Sequence, residues 1–209
     1  MLLTKTQVQF LNWIDNHPFV TKLYWTGWTA LAYIYDHRLS TDLNFFSFDF
    51  LADYELLPFI AEIKKEFSIE KIVRQNIYNR NIFLFDSHLD ELKMEFTFFP
   101  FKREEEGSLW KNGLRIDTPL EIGANKIHAL TERHEVKDVY DLYYISTQES
   151  LDLATLMNRT EEKFGTAFEV KDIIARLNYI AKDLSHISPF LLSTSIPIQE
   201  VQAWCEDMI

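Results

Sequence analysis

The 209-residue chain has an ordinary globular composition, 47% hydrophobic and 25% charged, and is long enough for a substantial core. Its formal net charge of −11, from 21 Lys and Arg against 32 Asp and Glu, argues against broad non-specific nucleic-acid binding, which requires clustered basic residues. The net charge does not exclude a local basic groove that binds one RNA end or one triphosphate. Cys205 is the single cysteine, so the chain cannot form an internal disulfide. No apolar run reaches the roughly 18 residues of a membrane span, and we expect a cytoplasmic protein that makes no membrane contact.

The first half of the chain alternates between helical and strand patterns. The spacing of apolar residues predicts a helix over residues 4–16, a short aromatic strand over 22–26, a turn at Gly27 and a helix over 29–37. A strand over 42–47 and a helix over 53–67, with Asp53 as its cap, come next. Three further strands are predicted over 69–75, 81–86 and 91–98, with turns at 79–80 and 88–90 between them, and residues 102–113 predict an exposed loop.

The second half of the chain is predicted to be helical throughout. Apolar spacing and capping residues indicate five helices, over residues 120–133, 136–147, 151–164, 170–183 and 198–208. The change of pattern predicts an α/β core over residues 1–117 and a helical region over 118–209. The expected fold class is α+β, a mixed β-sheet with flanking helices followed by a helical C-terminal half.

Polar residues at alternate positions of two predicted strands indicate one chemical site. Asp42 and Asn44 point to one side of their strand, and Glu95 points to the same side as its neighbours Lys93 and Thr97. If both strands belong to one sheet, Asp42, Asn44 and Glu95 can meet. Carboxylate and amide oxygens are ligands that Mg²⁺ accepts, so the pattern predicts a metal site with one uncharged ligand.

These residues also carry a family resemblance. Residues 26–46, TGWTALAYIYDHRLSTDLNFF, resemble the signature of the AbiEii/AbiGii-type nucleotidyltransferases, the toxins of bacterial toxin-antitoxin and phage-abortive systems. Three later blocks continue the resemblance in the same order: LKMEF at 92–96, KIHAL at 126–130 with Arg133, and KDVYDLYY at 137–144. Four ordered blocks make chance agreement improbable.

The resemblance implies a DNA polymerase β-like nucleotidyltransferase fold and a set of site residues. Asp42 and Glu95 match metal-binding acids that would hold Mg²⁺ or Mn²⁺, and Asp138 matches an acid that would deprotonate or orient the acceptor. The nucleotide-binding residues implied are Gly27, Thr29, Arg38, Ser40 and Lys126. The implied reaction is metal-dependent transfer of a nucleotidyl group from an NTP to a hydroxyl on RNA or protein, and an antitoxin protein is an implied partner.

Two positions depart from the family pattern at the reaction centre. Asn44 stands where a second aspartate is expected, and the loss of one charge beside a dication weakens metal binding. Trp28 replaces the second glycine of the phosphate turn and adds a large indole where a close approach to phosphate is needed. These departures leave an impaired transferase and a catalytically inactive nucleotide- or partner-binding descendant as the two principal hypotheses. A protein-interaction module with an acidic surface is a third.

Each site residue also has a purely structural interpretation. Asp42 could pair with Arg38, and Glu95 could pair with Lys93, as ordinary ion pairs. For Asn44 we favour a hydrogen-bonded polar side chain without a ligand role. The acids of the last block, Asp138 and Asp141, lie three residues apart on one helical face and could belong to a helix-packing network with Lys137 or Arg133.

Overall fold

The computed structural model describes residues 3–86 and 91–208, so the turn predicted at 88–90 lies outside the described residues. The chain divides into two compact units. Unit 1 contains the described residues up to 33 together with 40–101 and 106–117, and unit 2 contains 34–39, 102–105 and those from 118 onward. The predicted division into two domains at residue 117 stays a prediction.

Unit 1 is built on a seven-stranded mixed sheet. Its strands are β1 (Tyr24–Thr26), β2 (Asp42–Ser47), β3 (Lys71–Ile77), β4 (Arg80–Asp86), β5 (Glu91–Phe98), β6 (Ser108–Leu109) and β7 (Arg115–Ile116). They lie in the order β3-β4-β5-β2-β1-β7-β6. The pairs β2 with β5 and β1 with β7 are parallel, and the others are antiparallel. The two central strands β2 and β5 therefore run in the same direction, side by side.

The core of unit 1 lies on one face of this sheet. Its helices are α1 (Lys5–Ile14), α2 (Gly27–Tyr35) and α3 (Asp53–Glu66). The Phe45 ring lies 5.8 Å from Phe10 of α1 and 5.6 Å from Phe96 of β5, and Phe96 lies 5.8 Å from Phe59 of α3. Burial alternates along β2, with Leu43, Phe45 and Ser47 buried and the intervening residues half-buried. Asp42 and Asn44 of β2 therefore lie on the face opposite this core.

Several local predictions for unit 1 are corrected by the structure. The residue that caps α3 is Ala52, and the prediction of Asp53 as cap is wrong because its carboxylate accepts hydrogen bonds from Arg74, at 2.5 Å for the shorter one. The aromatic strand predicted over 22–26 begins later, at Tyr24, because its first predicted residue belongs to a 3₁₀ turn at Pro18–Lys22. The predicted loop over 102–113 contains β6, because a two-residue strand leaves no periodic pattern in a sequence.

Unit 2 is mainly helical. Its helices are α4 (Pro119–Glu132), α5 (Val136–Gln148), α6 (Leu153–Phe164), α7 (Val170–Ala181) and α8 (Ile198–Glu206), with a 3₁₀ turn at Leu184–Phe190. Thr118 and Asp152 cap α4 and α6 through their side chains, and the left-handed Gly165 ends α6. Among the described residues, no helix is long and apolar enough to span a bilayer. The predicted α+β class, a mixed sheet with flanking helices and a helical C-terminal half, is confirmed.

Candidate functional site

The sheet register brings three predicted residues of unit 1 onto one face. Asn44 of β2 lies directly beside Glu95 of β5 on one side and beside Thr26 of β1 on the other. Two residues earlier on the same two strands, Asp42 is paired with Lys93. Because side chains two residues apart share a face of a strand, Asp42, Asn44, Lys93 and Glu95 form one group. We call these four side chains, together with Arg80, the acid cluster.

Both carboxylates of the acid cluster are already engaged by a cation. Lys93 Nζ donates a hydrogen bond to Asp42 Oδ2, and Thr41 Oγ1 donates to Asp42 Oδ1 at 3.2 Å. Arg80 binds Glu95 in a bidentate manner, with Nε to Oε1 and Nη2 to Oε2 both at 2.6 Å. The formal charges of two acids and two bases sum to zero. Both acids are therefore ion-paired, as their structural interpretation predicts. The partners differ from the predicted ones, because Asp42 pairs with Lys93 and Glu95 pairs with Arg80.

Glu95 is the more deeply held of the two acids. Glu95 is only 6% exposed, and Thr97 Oγ1 donates a third hydrogen bond to its Oε1 at 2.9 Å. The hydrogen bonds and charge of Glu95 raise the pKa of Arg80 above its ordinary value despite the opposing effect of burial, so the guanidinium stays charged. Sequence reasoning placed Arg80 in a turn and missed this pair. An arginine opening the strand that precedes the acidic strand is the only signal that could have indicated it.

The glycine turn lies against Asn44. Gly27 begins α2 with φ of +78°, and a Cβ atom placed there would lie 3.1 Å from the Asn44 amide nitrogen. Buried hydroxyl groups hold the first turn of α2 in place. Thr29 Oγ1 lies 2.6 Å from Ser40 Oγ and also donates to the Asp42 carbonyl oxygen. Backbone N–H groups at such a helix start can bind phosphate. The nucleotide-binding roles of Gly27, Thr29 and Ser40 stay predictions.

Unit 2 collects the remaining predicted residues in a buried ionic network. Arg38 forms a bidentate pair with Asp141, with Nε to Oδ1 and Nη2 to Oδ2 both at 2.7 Å, and all four atoms belong to side chains without exposed surface. Lys126 Nζ lies 2.7 Å from Asp141 Oδ2 and 3.0 Å from Asp138 Oδ1. Arg133 Nε donates to Asp138 Oδ2 at 2.9 Å. We call these five side chains the helical network.

The electrostatics of the helical network set the state of its members. Burial alone would raise the pKa of Asp141, but Arg38, Lys126 and the hydrogen bond from His37 outweigh it and hold the pKa well below its usual range. Burial also lowers the pKa of His37, against the attraction of Asp141. A neutral His37 therefore donates from Nε2 to Asp141 Oδ1 at 2.7 Å, and its Nδ1 finds no hydrogen-bond partner within the part of the chain that the structure describes.

The predicted residues thus fall into two groups within their own units. Asp42, Asn44, Glu95, Gly27, Thr29 and Ser40 belong to unit 1, and Arg38, Lys126 and Asp138 belong to unit 2. Arg38 pairs with Asp141, so the structural pairing considered for Asp42 is made elsewhere. The network interpretation of Asp138 and Asp141 describes their contacts, with Lys126 and Arg38 as additional members. The catalytic role of Asp138 and the nucleotide-binding roles of Arg38 and Lys126 stay predictions.

The acid cluster does not fit a divalent cation as it is arranged. Over residues 3–86 and 91–208, no three His, Cys, Asp or Glu residues are grouped so that they could hold a metal ion. Two carboxylates and the Asn44 amide are the available oxygen ligands, and both carboxylates already bind an ammonium or guanidinium group. Hard dications select sites with uncompensated negative charge. Because the cluster has no net charge, its electrostatic attraction for a divalent ion is too weak to offset the free energy of dehydrating that ion.

Comparison with known proteins identifies the family. A family model described as "Nucleotidyl transferase AbiEii toxin, Type IV TA system" matches residues 10–188. An uncharacterised protein of Aquifex aeolicus strain VF5, aq_aa25, is 26% identical over 165 residues, which cover 78% of this chain and 76% of that protein.

Two solved structures are also similar. The Megavirus polyadenylate synthase matches with a TM-score of 0.46 and 14% identity, over 71% of this chain and 33% of that one. The polymerase core of TRAMP, an RNA surveillance complex, matches with a TM-score of 0.32 and 11% identity, over 86% and 58%. The chain thus spans about a third of the Megavirus protein and somewhat more than half of the TRAMP polymerase chain.

Proposed function

Since the chain belongs to the AbiEii nucleotidyltransferase toxin family, we propose that it binds an NTP in unit 1 and that its nucleotidyl-transfer activity is severely impaired or lost. The observation that carries this proposal is the state of the acid cluster. Asn44 replaces one carboxylate, and the two that remain, on Asp42 and Glu95, are neutralised by Lys93 and Arg80. Transfer of a nucleotidyl group requires charge stabilisation at the phosphate, and this cluster supplies little of it for a metal-assisted step.

Nucleotide binding is supported by parts of unit 1 that keep the family pattern. Gly27 adopts the left-handed conformation that the turn requires, and α2 follows it directly. Thr29 and Ser40 are buried and hydrogen-bonded to each other, which fixes the path of the backbone next to the turn. A fixed turn leading into a helix of nine residues is suited to a phosphate group. In this proposal phosphate binding depends on backbone amides and basic side chains more than on metal.

A second candidate is an active transferase that modifies a hydroxyl on RNA or protein. It is favoured by one observation, the register that places Asn44 directly beside Glu95, two residues from Asp42. The three residues that match the family acids by resemblance therefore lie on neighbouring positions of two strands, although one of them is an amide. The amide oxygen remains a neutral ligand, so a nucleotide that brings its own metal could still use the cluster.

One experiment separates the two candidates. The purified protein is titrated with a fluorescent NTP, with and without Mg²⁺, and is then incubated with α-labelled NTPs and a cell extract. Saturable binding without labelled RNA or protein supports the impaired descendant. Efficient labelling that requires Mg²⁺ or Mn²⁺ establishes the active transferase, with an antitoxin as its expected regulator. Absence of binding in both conditions rejects both and leaves the protein-interaction module.

A further inference from the structure

We propose that Lys93 and Arg80 are built-in counter-ions that keep divalent cations away from the carboxylates of the acid cluster. They would occupy the carboxylate oxygens that a metal ion would otherwise use. The inference rests on the proposed function only in taking the acid cluster as the site. It concerns metal binding by the protein alone, without nucleotide.

The backbone register makes the Lys93 pair a fixed feature. Lys93 and Asp42 are direct partners in the parallel pairing of β5 with β2, so their side chains start from adjacent backbone positions on one face. Lys93 remains 39% exposed and its partner Asp42 only 22% exposed. The ammonium therefore belongs to the more exposed member of the pair and binds one of the two carboxylate oxygens. An ion arriving from solution would have to displace it.

Arg80 holds the second carboxylate in a different way. Its planar guanidinium engages both oxygens of Glu95, and Thr97 takes a further lone pair. Few lone pairs of Glu95 are left for a metal ion. The Arg80 side chain is 42% exposed and that of Glu95 is 8% exposed, so in this pair too the cation is the more exposed member.

Tethering gives the two cations an advantage over a free ion. The Lys93 ammonium is attached directly across from Asp42 in the register and competes intramolecularly, at an effective concentration set by its short tether. The advantage is lost when the tethered charge is removed. Lys93 is the better one to test, because removing Arg80 would leave the deeply buried Glu95 without its counter-charge.

The test measures binding of Mn²⁺ alone, followed by the electron paramagnetic resonance signal of the free ion. Lys93→Met removes the charge and keeps most of the aliphatic length. Lys71→Met is the matched control, since it removes the same charge from the exposed start of the edge strand β3. Lys93→Arg keeps the charge. We expect Lys93→Met to bind Mn²⁺ at least about tenfold more tightly than the wild type, as a change of one charge at short range implies.

The expected pattern across variants is specific. Lys71→Met and Lys93→Arg should bind Mn²⁺ as weakly as the wild type. Equal affinities of Lys93→Met and Lys71→Met would overturn the proposal, as would tight Mn²⁺ binding by the wild type. Circular dichroism checks the fold of each variant, and Lys93→Gln, which keeps a polar head group, is a second charge-removing variant. NTP binding is measured separately without metal, so a failure of the proposed function appears in a different signal.

Discussion

Restoring the missing carboxylate by Asn44→Asp should create a metal site in the acid cluster. The new charge would lie beside Glu95, its direct neighbour in the register, and two residues from Asp42. A unit charge about 4 Å from another is worth about 1 kcal/mol in water and about 4 kcal/mol at an effective dielectric of 20, and a dication doubles both figures. Asn44 is half-buried, so the gain should fall between about 2 and 8 kcal/mol. Even the lower figure exceeds a tenfold gain in affinity.

Isothermal titration with Mg²⁺ and with Mn²⁺ measures this gain. Asn158→Asp, at an exposed position of α6, adds the same charge away from the cluster and serves as the control. We also expect Asn44→Asp to increase transfer of label from an NTP in the extract assay. If Asn44→Asp and Asn158→Asp bind metal equally weakly, position 44 does not contribute to an ion site and the reasoning from the register is refuted.

Three further predictions concern stability. His37→Gln should flatten the pH dependence of the free energy of unfolding. The wild type, whose buried imidazole resists protonation, should lose stability as pH falls below the ordinary histidine value of 6.5, by up to about 1.4 kcal/mol per pH unit, and urea melts across that range measure the slope. Asp141→Asn should cost about 3 to 5 kcal/mol in urea melts, because it leaves buried cations without their counter-charge, and a cost below 1 kcal/mol would contradict the network. Gly27→Ala should cost about 1 to 3 kcal/mol by thermal melting, because alanine is strained at φ of +78° and would meet Asn44. Gly165→Ala has similar strain, but a Cβ atom there would have no described residue within 4 Å, so an equal loss in both variants would show that the Asn44 contact adds nothing.

The sequence was sufficient to predict the elements whose patterns are long and local. The strands β2 and β5 have their predicted bounds, because alternation of polar and apolar residues extends over the first four positions of β2 and over all eight of β5. The helices α4 to α8 are each found within two residues of the predicted limits, since apolar spacing extends over three or more turns in most of them and Thr118 marks the start of α4. The strand pair β6 and β7 was missed because four residues carry no period.

The partners of the charged residues could not be read from the sequence. Asp42 has Arg38 four positions before it, yet it pairs with Lys93, which is 51 positions away. Arg38 pairs with Asp141 at a separation of 103. Which strands are neighbours, and in which register, is fixed by burial of the aromatic core, so ion pairs that depend on it follow only from the three-dimensional structure.

The composition of unit 2 has a practical consequence for dissecting the protein. The segment 34–39, which carries His37 and Arg38, consists of the last residues of α2 and the chain that follows them, but it belongs to the helical unit. A recombinant fragment ending at residue 117 would keep these two side chains and discard Asp141, the acid that neutralises Arg38. The complementary fragment would contain Asp141 and Lys126 but neither His37 nor Arg38. Truncation is therefore a poor way to assign activities to the two halves, and point substitutions in the intact chain are the sound alternative.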